Sequence, residues 1–349
     1  MQLIDLIRNR RHQVVSVVGM AKNAGKTVTL NELINQSMET GTVLGLTSIG
    51  RDGETQDIVT CTQKPSIYVD AGTLIATAES LYNCSDARLE IVEMTNFQTS
   101  MGTIMIAKAL SPGYIQLAGP CTNADIRRVS ERMLAYGADL VIVDGALDRV
   151  SSASPAISDA SVLATGAVIS RDMDKVIEQS IHQVSLFRLP SLYEADIKAM
   201  AKEAIALKEI QVIRSKNDAL IVDHIPIKTA LGAGRKIADA LCEDTLYVIL
   251  PGSLVSKTLF DVANSSKHFK NITFIVQDAT RLFIEPREWQ LLIRKGLKVV
   301  VMEEINLLAV TINPFAPAGY YFDPVTFKER LQSFVEPIPV IDVMEGGVL

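Results

Sequence analysis

The chain has 349 residues, 48% of them hydrophobic and 21% charged, which is enough for a sizeable core and excludes global disorder. Its formal net charge of -6 argues against a general affinity for nucleic acid or an anionic membrane, because neither polyanion is attracted. Aromatic residues are only 5%, so the core is expected to be aliphatic, and the length fits about two domains.

Residues 1–12 read as a short amphipathic helix, with Leu3, Ile4 and Ile7 on one side. This segment has no apolar core of signal-peptide length, and its basic cluster follows the apolar residues instead of preceding them. VVSVVG (14–19) is a continuous β-branched run, the mark of a strand buried on both faces. A glycine-containing loop leads to the helical stretch TVTLNELINQSME, and TVLGLTSIG (42–50) is a second strand. This strand–loop–helix–strand opening predicts an α/β fold with a mainly parallel, doubly wound sheet.

Three strand-like runs follow: LEIVEMT (89–95), TIMIAKAL (103–110) and YIQLAG (114–119). Ser111-Pro112-Gly113 separates the last two and predicts a hairpin between them. CTNADIRRVSERMLAYGA predicts a helix with its N-cap at Thr122 or Asn123 and its end near Gly137. DLVIVDGA (139–146) and SVLATGAVIS (161–170) are two further buried strands, and the helix DMDKVIEQSIHQVSLF comes next. Around 188–200 the pattern reads as a hinge and a connecting helix. The alternation then resumes with strands at 219–225, 246–252, 272–278, 298–305 and 307–314. IKTALGAGRKIADALC and SLVSKTLFDVANSS are the helices most easily read between them. The expected division is a nucleotide-binding domain over 1–190 and a second α/β domain over 200–349.

The four cysteines (Cys61, Cys84, Cys121, Cys242) lie far apart without a CxxC pair, which disfavours a zinc ribbon or a disulfide scaffold and fits a reducing compartment. No apolar run approaches the ~20 residues of a membrane helix, so a cytoplasmic location is expected. The four histidines have no metal-ligand spacing, and there is no GxSxG nucleophile elbow. The adjacent Glu303 and Glu304 read as a solvated strand end.

The sharpest feature is GMAKNAGKT, Gly19 to Thr27, set between a β-branched strand and an amphipathic helix, which is the context a phosphate-binding loop requires. Gly25 permits close backbone approach to phosphate oxygens. The N–H groups from Asn23 and Ala24 through Val28, at the positive end of the new helix, can form an anion nest, with Lys22 beside them. Lys26 is the expected contact of the β and γ phosphates, and Thr27 a ligand of Mg²⁺. Asp144 closes the buried strand DLVIVDG and is the expected second metal ligand, with Gly145 near the γ phosphate; a solvated acid at the mouth of a sheet is the plainer alternative. In TSIGRDGE (47–54), Asp52 is chosen to face the metal or the attacking water, with Glu54 second, and Arg51 to stabilise γ-phosphate charge. A polar turn is the alternative there.

Weaker candidates remain. Thr165 and Gly166 end a buried strand at the edge that faces a nucleotide in such sheets. Asn313 reads first as the start of an Asn-Pro turn and second as a reader of a nucleobase edge. SPGYIQLAGPCTNAD (111–125) reads as a plain strand–turn–helix more readily than as an anion or partner site. LGAGRK (231–236) is a glycine-containing helix start.

GMAKNAGKT has five residues between its glycines, where the usual phosphate-loop pattern has four. This nine-residue form resembles the SIMIBI class of P-loop NTPases, to which dethiobiotin synthetase and the MinD/ParA proteins belong. The resemblance covers residues 13–50 and 139–146 by motif and extends more weakly to about 190. The signature lysine of MinD/ParA would fall at Ala21, and Lys22, one place off, is not given that role. The resemblance implies Mg²⁺-dependent binding and hydrolysis of a nucleoside triphosphate; ATP is favoured because the Asn-Lys-x-Asp guanine signature is missing, and GTP is left open because members of the class often read bases by other means. GMAKNAGKT, TSIGRDGE, SPGYIQLAGP and DASVLATGAVISRDMDK together also resemble the reactivase subunit that accompanies adenosylcobalamin-dependent lysine aminomutase. That implies a protein client, a cobalamin-dependent aminomutase, although the Asp-x-His-x-x-Gly cobalamin motif is not in the chain. The alternatives are a dethiobiotin-synthetase-type ligase or kinase and a poorly hydrolysing regulatory subunit. A homodimer is left open.

Overall fold

In the computed structural model the described residues are 2–50, 67–145, 153–217, 219–227 and 232–344. The chain divides into two compact units, Met1–Ile181 with Asn306–Leu349, and His182–Ile305. In chain order the first unit begins with α1 (Leu3–Asn9), β1 (Val14–Gly19), α2 (Lys26–Thr40), β2 (Leu44–Ser48), β3 (Ile67–Val69), β4 (Leu74–Ala78), β5 (Leu89–Thr99) and β6 (Gly102–Ala109). It continues through β7 (Gly113–Ile115), α3 (Asn123–Ala135), β8 (Leu140–Asp144), β9 (Ala160–Gly166) and α4 (Met173–Phe187), whose last turns pass into the second unit. There follow α5 (Ala195–Leu207), β10 (Ile210–Lys216), β11 (Ala219–Ile225), α6 (Gly234–Ala240), β12 (Thr245–Leu250), β13 (Leu254–Val255), α7 (Ser256–Ser265), β14 (Thr273–Val276), β15 (Leu282–Phe283), α8 (Pro286–Arg294) and β16 (Val299–Val301). The chain then returns to the first unit with β17 (Leu307–Asn313), α9 (Pro324–Val335) and β18 (Val340–Asp342).

The fold is α/β, built on a mixed sheet of mostly parallel strands. The nine strands run in the order β18-β17-β9-β1-β8-β2-β4-β6-β5. From β18 to β4 all neighbours are parallel, and β6 and then β5 add an antiparallel margin. β1 lies in the middle because its valines have apolar partners on both faces. Val15 and Val17 join Leu30, Leu33 and Ile34 of α2 in one core cluster. Val14 joins Ile126, Val129 and Met133 of α3 in another. β8 alternates in the same way, with Leu140 and Ile142 on the α2 side and Val141 and Val143 on the α3 side. Burying a leucine or valine of this kind contributes about 1.5–3 kcal/mol. In the second unit the sheet order is β11-β10-β12-β14-β16, antiparallel across its first two pairs and parallel across the last two.

Three expectations need correction. The expected second domain, 200–349, loses its last part: β17 pairs in parallel with β9 and β18 with β17, so residues 306–344 complete the first unit's sheet. The boundary near 190 falls instead at 181, within α4. The expected hairpin around Ser111-Pro112-Gly113 is also absent. β6 is already flanked by β4 and β5, and the hairpin it makes is with β5, through Ser100 and Met101. The strand after the Pro-Gly turn, β7, instead pairs antiparallel with β3. The N-cap of α3 is Thr122, whose hydroxyl accepts from the Asp125 N–H at 3.1 Å.

Asp159 fastens the start of β1 to the approach to β9. One of its carboxylate oxygens accepts from the N–H groups of Gln13 and Val14, both at 3.0 Å, and the other from Arg127 at 2.8 Å. Burial pushes this carboxyl up, but the Arg127 guanidinium and the two backbone donors outweigh it and hold it below the usual carboxylate range. A folded-state value below the unfolded one gives stability that is present above the unfolded carboxyl pKa of about 3.9 and lost as pH falls through the folded value. Asp159→Asn is therefore expected to cost about 1–2 kcal/mol at pH 7, and its difference from the wild type in denaturant midpoint should shrink as pH falls below the unfolded carboxyl pKa. An undiminished difference in acid would contradict this.

Among the described residues, no helix is long and apolar enough to cross a membrane.

Candidate functional site

The carboxyl ends of β1, β8, β9 and β17 lie side by side, since these strands are neighbours and parallel. The loop from Gly19 to Gly25 leaves β1 at this edge. Met20 N–H donates to the Ala164 carbonyl of β9 at 3.0 Å, and Ala24 N–H to Ala21 at 3.2 Å. Asn23 (φ 63) and Gly25 (φ 106) adopt left-handed backbone. Asparagine tolerates that region and glycine prefers it. Gly25 is the N-cap of α2, and the first helical bond runs from Thr29 N–H to the Gly25 carbonyl at 2.9 Å. The N–H groups of the first turn therefore face away from the helix body, at its positive end. The first turn holds no acidic residue.

Lys26 opens α2, and its side chain turns back across the end of β1. It is 8% exposed. A Cβ placed on Gly19 would lie 2.6 Å from its Cγ, so only glycine leaves room for the lysine stem. Its ammonium donates to the carbonyl of Gly145 at 2.8 Å. Asp144, the last residue of β8, is half-buried, and its position is set by two registers: it pairs with Val17 on β1 and with Ser48 on β2. Gly145 N–H donates to the Val17 carbonyl at 2.9 Å, tying the end of β8 to β1 beside the loop. Thr27 and Val28 are half-buried, Lys22 and Asn23 exposed, and Ala24 and Gly25 buried.

β9 and β17 close the other side. A Cβ on Gly166 would meet the Asn313 carbonyl at 2.5 Å and the Ala24 carbonyl at 3.3 Å; one on Gly25 would meet the Asn313 Cβ at 2.9 Å. Gly25, Gly166 and Asn313 thus meet at one point. The Asn313 side chain also accepts from Phe315 N–H at 3.1 Å, so it begins the Asn-Pro turn and touches the loop at once. Thr165 is wholly buried, with its hydroxyl paired with that of Ser180 on α4 at 2.8 Å, so at this strand end Gly166 is the residue that meets the loop. Sequence reasoning missed the pair on the opposite face: Thr29 of α2 and Thr311 of β17 share a buried hydroxyl contact of 2.7 Å. It anchors the first turn of α2 to the strand that carries Asn313.

Arg51, Asp52 and Glu54 lie outside the described residues. The segment that leads to them is firmly held: Ile49 N–H donates to the Asp144 carbonyl at 3.1 Å and Gly50 N–H to Pro120 at 2.7 Å. Gly119-Pro120, flagged in the sequence, packs directly on the end of β2. In the second unit, Gly234, the second glycine of LGAGRK, serves helix packing, since a Cβ there would lie 2.4 Å from the Asp261 Cβ of α7. Among the described residues, no three His, Cys, Asp or Glu side chains form a group able to hold a metal ion.

No known protein family matches the chain, and no curated protein matches it in sequence.

Proposed function

We propose that the loop from Gly19 to Thr27 grips the triphosphate of Mg²⁺·ATP in the manner of the SIMIBI P-loop proteins it resembles, and that the chain is a nucleoside triphosphatase serving a partner enzyme. The observation that supports this best is Lys26, a buried lysine folded over Gly19 with its ammonium on the residue that follows Asp144. A buried cation beside a helix N-terminus and a strand-end carboxylate has the charge pattern that phosphoryl transfer needs. The first-turn N–H groups of α2 take phosphate oxygens, and Lys26 takes those of the β and γ phosphates. Magnesium uses few protein ligands and fills its remaining positions with water and phosphate oxygens, so the hydroxyl of Thr27 and the carboxylate of Asp144 fit it in kind. When bound, the ion neutralises charge on the β and γ oxygens. Asn313, against Gly25, offers its side-chain amide to a nucleobase. Arg51, Asp52 and Glu54 are the proposed groups for the attacking water and the γ-phosphate charge.

The reactivase resemblance supplies the client class, a cobalamin-dependent aminomutase whose damaged cofactor is exchanged at the expense of ATP. Phosphate release measured with ATP and with GTP, alone and with such a mutase added, tests both parts. Hydrolysis stimulated by the mutase supports them, whereas no binding of either nucleotide removes the first. Asp144→Asn is expected to raise the magnesium concentration needed for half-maximal turnover about 10–100-fold. Superimposable magnesium titrations of variant and wild type would remove Asp144 from the metal site.

A further inference from the structure

Buried hydroxyls in the first unit are, with few exceptions, satisfied within the protein. Thr29 pairs with Thr311, Thr165 with Ser180, and Ser37 and Ser130 donate to carbonyls one helical turn back. Three serines depart from this pattern. Ser16, Ser158 and Ser161 are 0%, 3% and 1% exposed, and their hydroxyl oxygens have no hydrogen-bond partner among the described residues. Two of them are neighbours. Ser16 is in β1 and Ser161 in β9, and the two are register partners on adjacent parallel strands, so their side chains leave the same face of the sheet. That is the face of α3, because Val14, two residues before Ser16, packs in the cluster of Ile126, Val129 and Met133. Ser158 comes three residues before Ser161, in the turn that leads into β9.

A hydroxyl buried without a partner is destabilising, and buried polar groups of native proteins almost always find a partner in protein or ordered water. Two orphans facing each other across neighbouring strands would double that cost at one place. Serine is also smaller than the four valines of β1, so a facing serine pair occupies less volume than two valines would. Polar walls and spare room are the two conditions for an internal water molecule.

We infer that Ser16 and Ser161 form a binding site for ordered internal water, at least one molecule bridging their hydroxyls in the core of the first unit. The ligand is water itself, so the site is present with or without any nucleotide.

The sign of a stability change tests this on the whole chain. If water joins the two hydroxyls, Ser16→Ala and Ser161→Ala each remove a satisfied hydrogen bond and lower Tm by about 2–4 °C. The double variant falls by less than the sum, because both changes remove the same bridge. If the hydroxyls are orphans, each alanine removes an unmet polar group, and an unchanged or raised Tm overturns the proposal. A crystal structure of the wild type at high resolution decides independently, even if a variant fails to fold. Density within hydrogen-bond distance of Ser16 Oγ and Ser161 Oγ supports the site. A direct serine–serine contact, or empty space between them, overturns it.

Discussion

Lys26→Ala is expected to reduce nucleoside triphosphate hydrolysis by at least about 10²–10³-fold, the loss typical when one charge-stabilising group is taken from a preorganised site. Three consequences of the substitution act together. The variant removes the cation that opens α2. It also strips the aliphatic stem from above Gly19, where nothing larger than a hydrogen fits beneath it. And it takes from the buried Gly145 carbonyl the donor that holds it at 2.8 Å. Lys26→Arg should not restore activity: the guanidinium is planar and wider than an ammonium, and the space over Gly19 is already filled by the lysine stem. The check is phosphate release at saturating ATP, together with calorimetric titration of nucleotide and a thermal melt to establish that the variant is folded. Hydrolysis equal to wild type in a folded Lys26→Ala variant would end the assignment of this loop to phosphate.

How far the sequence carries towards this site depends on the range of each interaction. GMAKNAGKT and DLVIVDG were readable because each is a local string with its own context: a β-branched run, then a glycine or an acid at the end of the strand. The structure brings these two strings together as adjacent strands, with Lys26 reaching the residue after Asp144. β17 was readable as a strand, but not as a member of the first sheet. An apolar, β-branched segment such as LLAVTIN states that both of its faces are buried, not which neighbours bury them. Its pairing with β9 spans more than 140 residues of chain. β3 and β4 went unread for a different reason. β3 has only three residues, and Ala76 and Ala78 give β4 little β-propensity, so burial between β2 and β6 decides its conformation. The false hairpin at Ser111-Pro112-Gly113 shows the same limit from the other side. A turn signal marks where a strand stops and says nothing of where the next one lands.

The largest expected loss of stability comes from a residue with no proposed chemistry. A Cβ on Gly119 would lie 1.9 Å from the Ser48 carbonyl oxygen and 2.5 Å from the Thr47 hydroxyl, well inside the closest approach real atoms make. Neither neighbour can give way cheaply. Thr47 is fully buried and donates to the Ala76 carbonyl of β4 at 3.0 Å, while Ser48 ends β2 and its hydroxyl accepts from Gly119 N–H at 3.2 Å. Relief would have to come from separating the 117–120 segment from the edge of a parallel sheet, breaking the Gly50-to-Pro120 bond as well. Inserting atoms into a packed core usually costs about 1–3 kcal/mol; here the clash is with backbone, and Gly119→Ala is expected to reach or exceed the top of that range in a denaturant titration. Gly252→Ala is the matched control, because a Cβ there meets nothing within 4 Å, and it should be close to neutral. The same displacement would shift Ile49 and Gly50, the residues that lead into Arg51 and Asp52, so any folded fraction of Gly119→Ala should also lose turnover while keeping nucleotide affinity at Lys26. Equal stability of the Gly119 and Gly252 variants would mean that the end of β2 yields far more easily than its hydrogen bonds imply.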